Sequence, residues 1–378
     1  LLTFLDPSPY CDRERADDDG WWDVKTGLSF FFMATGRDET DQQVYADELE
    51  IASAAEGLGF DALWATEHHF TGYSMLPNPL HFLAYMAGRS ERLELGSMVV
   101  VLPWHNPARL AGEIGMIDNL TNGRFRLGLG RGLGRVEFEG LGADMDSSRE
   151  VFDESAEMIL GALESGYIEA SGKYVNVPKR ELRPRPTGSF IGRTYGAAVS
   201  PESVKSMARL GAGLIIIPQK PWERVVGELE LYREEFTAHH PDREIPKPVV
   251  AVHTYCHRDP QRAKEMGRLY NARYYQTVMD HYGLAGRGFA NQKGYSYYAK
   301  VADRIDASGR DEAAEYYADL HVYGTPAQCL EKIEWIKDTV GCGTLLNIVS
   351  YSGMPAEEAR ENLRLYADEV RPAVAAMK

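Results

Sequence analysis

DQQVYADELEIASAAEGLGFDALWATEHHF, residues 41–70, contains a helix, its stop and a buried strand in immediate succession. Tyr45, Leu49, Ala52, Ala55 and Leu58 recur at helical spacing, and Gly59 follows as a stop. Phe60-Asp61-Ala62-Leu63-Trp64-Ala65 is then too continuously apolar for a strand with one wet face, so it reads as a strand buried on both sides. It closes on Glu67-His68-His69-Phe70. In α/β folds, ligand and catalytic groups gather at the carboxyl ends of strands. Alternation along the strand puts Thr66 and His68 on one face and Glu67 and His69 on the other. One histidine can therefore reach the interior directly, and a metal site built from both is awkward. The segment reads either as a satisfied core pair or as one imidazole that exchanges protons at a mouth.

Outward from this point, the same unit repeats. Strands are expected at residues 28–33, 60–66, 93–102, 125–130, 190–197, 213–217, 248–256 and 344–350. Helices are expected at residues 41–58, 79–88, 107–120, 149–163, 201–210, 222–239, 260–282, 326–339 and 355–374. A small hairpin is expected over 167–177. Continuous apolar strands alternating with helices imply a parallel sheet covered on both faces. Eight such units closed on themselves make a (β/α)₈ TIM barrel, with an open doubly wound sheet as the alternative. Residues 1–26, charged and then aromatic at Trp21-Trp22, stand apart as an N-terminal extension, leaving 27–378 as the barrel domain. Residues 283–311 show no clear period and are too long for an ordinary connector, so they are expected to be a mobile, functional loop.

The formal charge of −15 over 378 residues disfavours nucleic acid and anionic membrane as partners, since both need a basic footprint. Cys11, Cys256, Cys329 and Cys342 have neither metal-ligand nor redox spacing, so a reducing, cytoplasmic setting is the simpler expectation, with no metal. No apolar run approaches the ~20 residues of a membrane span.

Two further constellations follow strand ends. Gly128-Leu129-Gly130-Arg131-Gly132-Leu133-Gly134-Arg135 permits close approach to a ligand, and Arg131 offers a permanent charge suited to phosphate; the plain alternative is a tight loop with solvated arginines. Ser200-Pro201-Glu202-Ser203 opens a helix. It is either an ordinary cap or a phosphate seat built from helix-end N–H groups and two hydroxyls, with Arg149 as a second charge. His239-His240, His257 and His281 read as surface or loop residues. Tyr295, Tyr297 and Tyr298 read as lid or loop packing.

Together these fragments resemble the flavin-dependent luciferase-like monooxygenases, most of all the catalytic α subunit of bacterial luciferase. The resemblance runs through Glu67-His68-His69-Phe70-Thr71, Asn106-Pro107-Ala108-Arg109, Thr121-Asn122-Gly123-Arg124-Phe125-Arg126, Arg131-Gly132-Leu133, Asp144-Met145-Asp146-Ser147-Ser148-Arg149 and Gly324-Thr325-Pro326. It implies a barrel binding FMN, supplied as FMNH₂ by a separate NAD(P)H-dependent reductase. It makes His68 the counterpart of the family's catalytic histidine. It places Arg131, Arg149, Ser200 and Ser203 at the flavin phosphate, Leu133 beside the flavin, and a non-prolyl cis peptide at Met98-Val99. Lys293-Gly294-Tyr295 resembles the lid of the α subunit. A homodimer is implied, as is transfer of one oxygen atom from O₂, through a flavin hydroperoxide, to a small hydrophobic aldehyde, ketone or similar molecule. The chain departs at Gly130, where luciferase has a reactive cysteine; the loss opens space where oxygen or substrate would sit. Val199 replaces a glutamate before the phosphate serine. A deazaflavin-dependent hydride transferase and a non-catalytic flavin-binding subunit are the rival readings.

Overall fold

Eight parallel strands close into a ring in the computed structural model, which describes residues 24–284, 289 and 292–377. In chain order the first half comprises β1 (Lys25–Phe30), α1 (Asp41–Ala54), β2 (Ala62–Ala65), α2 (Pro79–Ala87), β3 (Glu94–Ser97), β4 (Val100–Val101), α3 (Pro107–Leu120), β5 (Phe125–Gly130), α4 (Arg135–Leu141) and α5 (Ser148–Ser165). There follow β6 (Tyr167–Ser171), β7 (Asn176–Glu181), β8 (Thr194–Ala197), α6 (Pro201–Leu210), β9 (Gly213–Ile216), α7 (Trp222–His239), β10 (Val249–Cys256) and α8 (Pro260–Tyr282). The chain ends with α9 (Ser296–Ser308), α10 (Arg310–Ala318), β11 (Val322–Gly324), α11 (Pro326–Val340), β12 (Thr344–Ile348), α12 (Ala356–Glu369) and α13 (Arg371–Ala375).

The ring runs β10, β12, β1, β2, β3 with β4, β5, β8 and β9, and the β9–β10 pairing closes it. This is the (β/α)₈ barrel expected from the repeating units, and the open sheet is set aside. β6 and β7 form the expected antiparallel hairpin outside the ring. β11 is an extra parallel strand on the outer end of β10. The Trp21-Trp22 extension lies outside the described residues, and β1 already begins at Lys25.

The third position of the ring is broken. Gly96 pairs with Arg126 and Val100 with Leu129, so four steps on one strand oppose three on the other. The extra residue makes a bulge, and within it the Met98-Val99 peptide is cis, as the family resemblance implied. β5 accommodates the bulge by lacking side chains beneath it. A Cβ on Gly128 would lie 1.9 Å from the Ser97 carbonyl oxygen, and one on Gly130 would lie 2.2 Å from Val99 Cγ2. Ser97 Oγ donates to the Gly128 carbonyl at 3.0 Å and accepts from the Gly128 N–H at 2.9 Å, pinning the bulge to β5. The space expected to open at Gly130 is thus taken by Val99.

The aperiodic loop expected over 283–311 contains α9, and α10 begins at Arg310. Gly309 at φ +91° separates the two helices. α9 buries only Ala302 and Ile305, too few apolar contacts to leave a visible period. The final helix, expected unbroken, divides into α12 and α13, with Pro372 in the first turn of the second.

Candidate active site

The polar end of β2 divides its residues as strand alternation requires. Glu67 turns into the wall: its carboxylate accepts from the Val101 N–H at 2.8 Å and from His105 Nε2 at 2.8 Å, with His69 Nε2 at 3.4 Å. Burial pushes Glu67 up, but the hydrogen bonds from His105 and His69 outweigh it and hold the group below the usual carboxylate range. The same contact raises His105 despite its burial. Glu67 therefore fastens the end of β2 to β4 and the turn after it.

His68 takes the other side. Its ring stacks on Phe31 at 6.3 Å, meets Tyr73 edge-on at 4.8 Å and lines a cavity at the carboxyl end of the barrel. Its Nδ1 lies 3.0 Å from Glu137 Oε1, which also accepts from the His69 backbone N–H at 2.9 Å. Glu137 sits on α4 with its side chain wholly buried. Burial raises this carboxyl, but contacts to His281 and His68 outweigh it and bring it down to about 2. Sequence reading missed Glu137, because α4 occupies what looked like a glycine-rich loop.

His281 was expected in a surface or loop setting. It is instead buried at the end of α8, stacked on Tyr73 at 4.6 Å, with Nδ1 2.8 Å from Thr71 Oγ1. Its Nε2 lies 3.5 Å from Glu137 Oε2, an electrostatic contact too long for a good hydrogen bond. Burial pushes His281 down, more than the Glu137 carboxylate restores.

Met98, Val99, Gly130, Arg131, Leu133 and Ser203 line the same cavity as His68. Ser200 caps α6, accepting from the Ser203 N–H at 3.3 Å, and its hydroxyl is 3.2 Å from that of Ser203. Arg149 reaches Ser203 Oγ at 3.3 Å. Its guanidinium is depressed first by burial and then by Arg131 nearby. Among the described residues neither Arg131 nor Arg149 has a carboxylate partner within ion-pair distance. Two cations without an ion-paired carboxylate among the described residues, two hydroxyls and a helix amino end are groups that could hold a phosphate. Apolar Met98, Val99, Leu133, Val199 and Ile217 flank the cavity beyond it, as a flat aromatic ring system requires.

The segment before α9 closes over this seat. Gly294 O accepts from Arg131 at 3.0 Å, and the Tyr295 ring lies 3.9 Å beneath that guanidinium. The Tyr295 hydroxyl donates to Gly132 O at 3.1 Å and is 3.0 Å from Ser148 Oγ. Lys293 pairs with Glu150, and Gln292 donates to Asp146 at 2.6 Å. Lys293, Gly294 and Tyr295 thus contact the loop that carries Arg131 and the first turn of α5, which carries Arg149.

The chain is similar over most of its length to known proteins. The alkanal monooxygenase alpha chain of Photobacterium leiognathi is 28% identical over 351 residues, covering 92% of this chain and 98% of that one. The oxygenase component of the flavin-dependent trigonelline monooxygenase of Acinetobacter baylyi is 30% identical over 243 residues, 62% of this chain and 66% of that one. The crystal structure of the monooxygenase RslO1 from Streptomyces bottropensis superposes with a TM-score of 0.76 at 25% identity, covering 93% of this chain and 99% of that one. The family model described as luciferase-like monooxygenase matches residues 25–341, and the chain belongs to that family of flavin-dependent monooxygenases.

Proposed function

We propose that this chain is the oxygenase component of a two-component system that uses FMNH₂ delivered by a separate NAD(P)H-dependent reductase. The observation that carries the reading is that Arg131 and Ser203 line the cavity that holds His68, that Arg149 reaches Ser203, and that among the described residues neither arginine has a carboxylate within ion-pair distance. These groups and Ser200 would hold the flavin phosphate, with Met98, Val99 and Leu133 against its ring. Reduced flavin, when bound, supplies the activation of O₂. The protein's own residues bind, orient and shield. Arg131, Arg149 and the amino end of α6 fix the anionic end. Val99, Val101, Trp104 and Ile217 give the cavity apolar walls that favour a small hydrophobic aldehyde, ketone or similar molecule. The segment 292–311 acts as a lid that keeps water out, with Lys293, Gly294 and Tyr295 as its contact points; the expected lid residues 285–288 and 290–291 lie outside the described residues. His68 holds or moves the proton at the reacting oxygen through its ring nitrogen.

A homodimer in the cytoplasm completes the proposal; exposed Tyr85 on α2 and Met116 and Leu120 on the neighbouring α3 offer an apolar face for it. Incubation with reduced FMN, ¹⁸O₂ and a panel of aldehydes and ketones tests the central claim. Incorporation of one labelled atom into product is the expected result. No oxygen uptake with reduced FMN, together with hydride transfer to a deazaflavin, would select the rival chemistry.

A further inference from the structure

We propose that Glu137 and His281 are positioning residues for His68, forming a carboxylate bridge between two imidazoles that fixes which nitrogen of His68 faces the cavity. The inference deepens the oxygenase reading and rests on it only for its activity measurement. A carboxylate accepts and does not donate, so Glu137 Oε1, 3.0 Å from His68 Nδ1, selects the ring form with a proton on Nδ1. The neutral ring then presents the Nε2 lone pair. Oε1 is itself held by the His69 N–H at 2.9 Å, so the carboxylate cannot swing away without losing two contacts. The second oxygen faces His281 Nε2 at 3.5 Å, and both atoms are buried with no hydrogen-bond partner among the described residues.

The charge count gives this arrangement its use. One buried carboxylate between two imidazoles is electroneutral when one imidazole carries a proton. When His68 Nε2 takes a proton from an O–H in the cavity, the O–H bond breaks, an N–H bond forms, and the positive charge lies beside Glu137; no proton passes to Glu137. Burial holds His281 below the usual imidazole range despite Glu137, so the carboxylate, with its shorter contact to His68 Nδ1, favours the charge on His68. The other titratable groups facing the bridge are Tyr73, packed on both imidazoles, and Tyr282 at the end of α8; both are pushed well above the usual phenol range by burial. Donor atoms of His68, Glu137 and His281 lie within 4.8 Å of one another, close enough to raise the question of a metal ion. The two carboxylate oxygens instead face different imidazoles, whereas a metal needs all three donors converging to ~2.0–2.2 Å of one point.

The test is nitrogen NMR of the full-length, flavin-free protein labelled in histidine, titrated from acid to alkaline pH, in wild type and in Glu137→Gln, Glu137→Asp and His281→Gln. Wild-type His68 is expected in the Nδ1–H form when neutral. Glu137→Gln, whose amide can donate, is expected to switch the ring form and weaken proton affinity about tenfold or more. Glu137→Asp should restore much of the wild-type behaviour. The acid limb of kcat/KM for oxygen transfer should move with the NMR midpoint. An unmoved His68 titration in Glu137→Gln, or in His281→Gln should Glu137→Gln not fold, overturns the proposal. So does stoichiometric Zn²⁺ binding that is lost in Glu137→Gln and His281→Gln. Expected NMR behaviour with no oxygen transfer even in wild type supports the bridge and rejects the oxygenase reading.

Discussion

At the scale of single residues, the two halves of the cavity should fail in different ways. His68→Ala removes the imidazole but leaves the basic seat, so oxygen-atom transfer should fall about 10²–10⁴-fold while FMN affinity stays within a factor of a few. Labelled-oxygen incorporation alongside a fluorescence titration separates the two quantities. Equal losses in both would make His68 a binding group. Arg149→Ala should do the reverse, weakening FMN by roughly 1.5–3 kcal/mol, the range for a hydrogen bond to a charged group. Riboflavin, which lacks the phosphate, should bind wild type and Arg149→Ala alike; a matching loss for riboflavin would remove Arg149 from the phosphate seat. His68 and Arg131 were legible because each follows closely on an apolar strand, where a charge or imidazole is conspicuous; Arg149, in the first turn of α5, stood out only through the family resemblance. Glu137 was not legible: it is one acidic residue in the polar run Arg135-Val136-Glu137-Phe138-Glu139, and nothing local says which glutamate is buried. Only the fold, which carries α4 across the end of β2, singles it out.

At the scale of elements, β5 and the β3–β4 bulge are complementary surfaces. Gly130→Ala should cost about 1–3 kcal/mol, because the new Cβ meets β-branched Val99 at 2.2 Å and neither strand has room to retreat. Val99→Ala in the same molecule should recover most of that loss. A urea-unfolding double-mutant cycle measures the coupling, and simple additivity of the two changes would show that the bulge yields without resistance. The eight strands were readable as continuous apolar runs bounded by turns. The bulge was not, since its cause is a register difference between two strands, and the glycines of β5 that accommodate it read equally well as an open glycine-rich turn. The inward face of α1 was read in part: Ala52 and Ala55 are buried as expected, Val44 and Ile51 are buried beside them, and Tyr45 is partly exposed and packs on Phe32 at 4.7 Å. Tyrosine fits either side of such a helix, because its ring packs while its hydroxyl reaches out, here to the Met75 carbonyl at 2.5 Å. α9 escaped notice because it buries only Ala302 and Ile305, too few to leave a period.

At the scale of the whole molecule, the ring is closed by elements from opposite ends of the chain, and one buried acid sits at that closure. β1 pairs with β12, and α1 contacts α12. Glu48 of α1 accepts a hydrogen bond from Ser350 Oγ, just beyond β12, at 2.6 Å. Arg37 stands 3.8 Å from Glu48 but spends its closest contact, 2.5 Å, on Asp47. Burial therefore dominates and pushes Glu48 up to about 7, against the weaker pull of Ser350 and Arg37. The folded protein binds this proton more tightly than the unfolded chain does. The stability it contributes is complete below the unfolded carboxyl range, near 4.5, and is lost as pH rises through about 7. The full difference is on the order of 3 kcal/mol. Glu48→Gln keeps an acceptor for Ser350 and removes the charge, so its stability relative to wild type should increase between pH 5 and pH 8 by about that amount. Paired urea midpoints at the two pH values, wild type against variant, isolate this one group from every other titration in the chain. A relative stability that does not change with pH would mean that Glu48 keeps an ordinary carboxyl affinity, and that Arg37 neutralises it more effectively than a 3.8 Å contact implies.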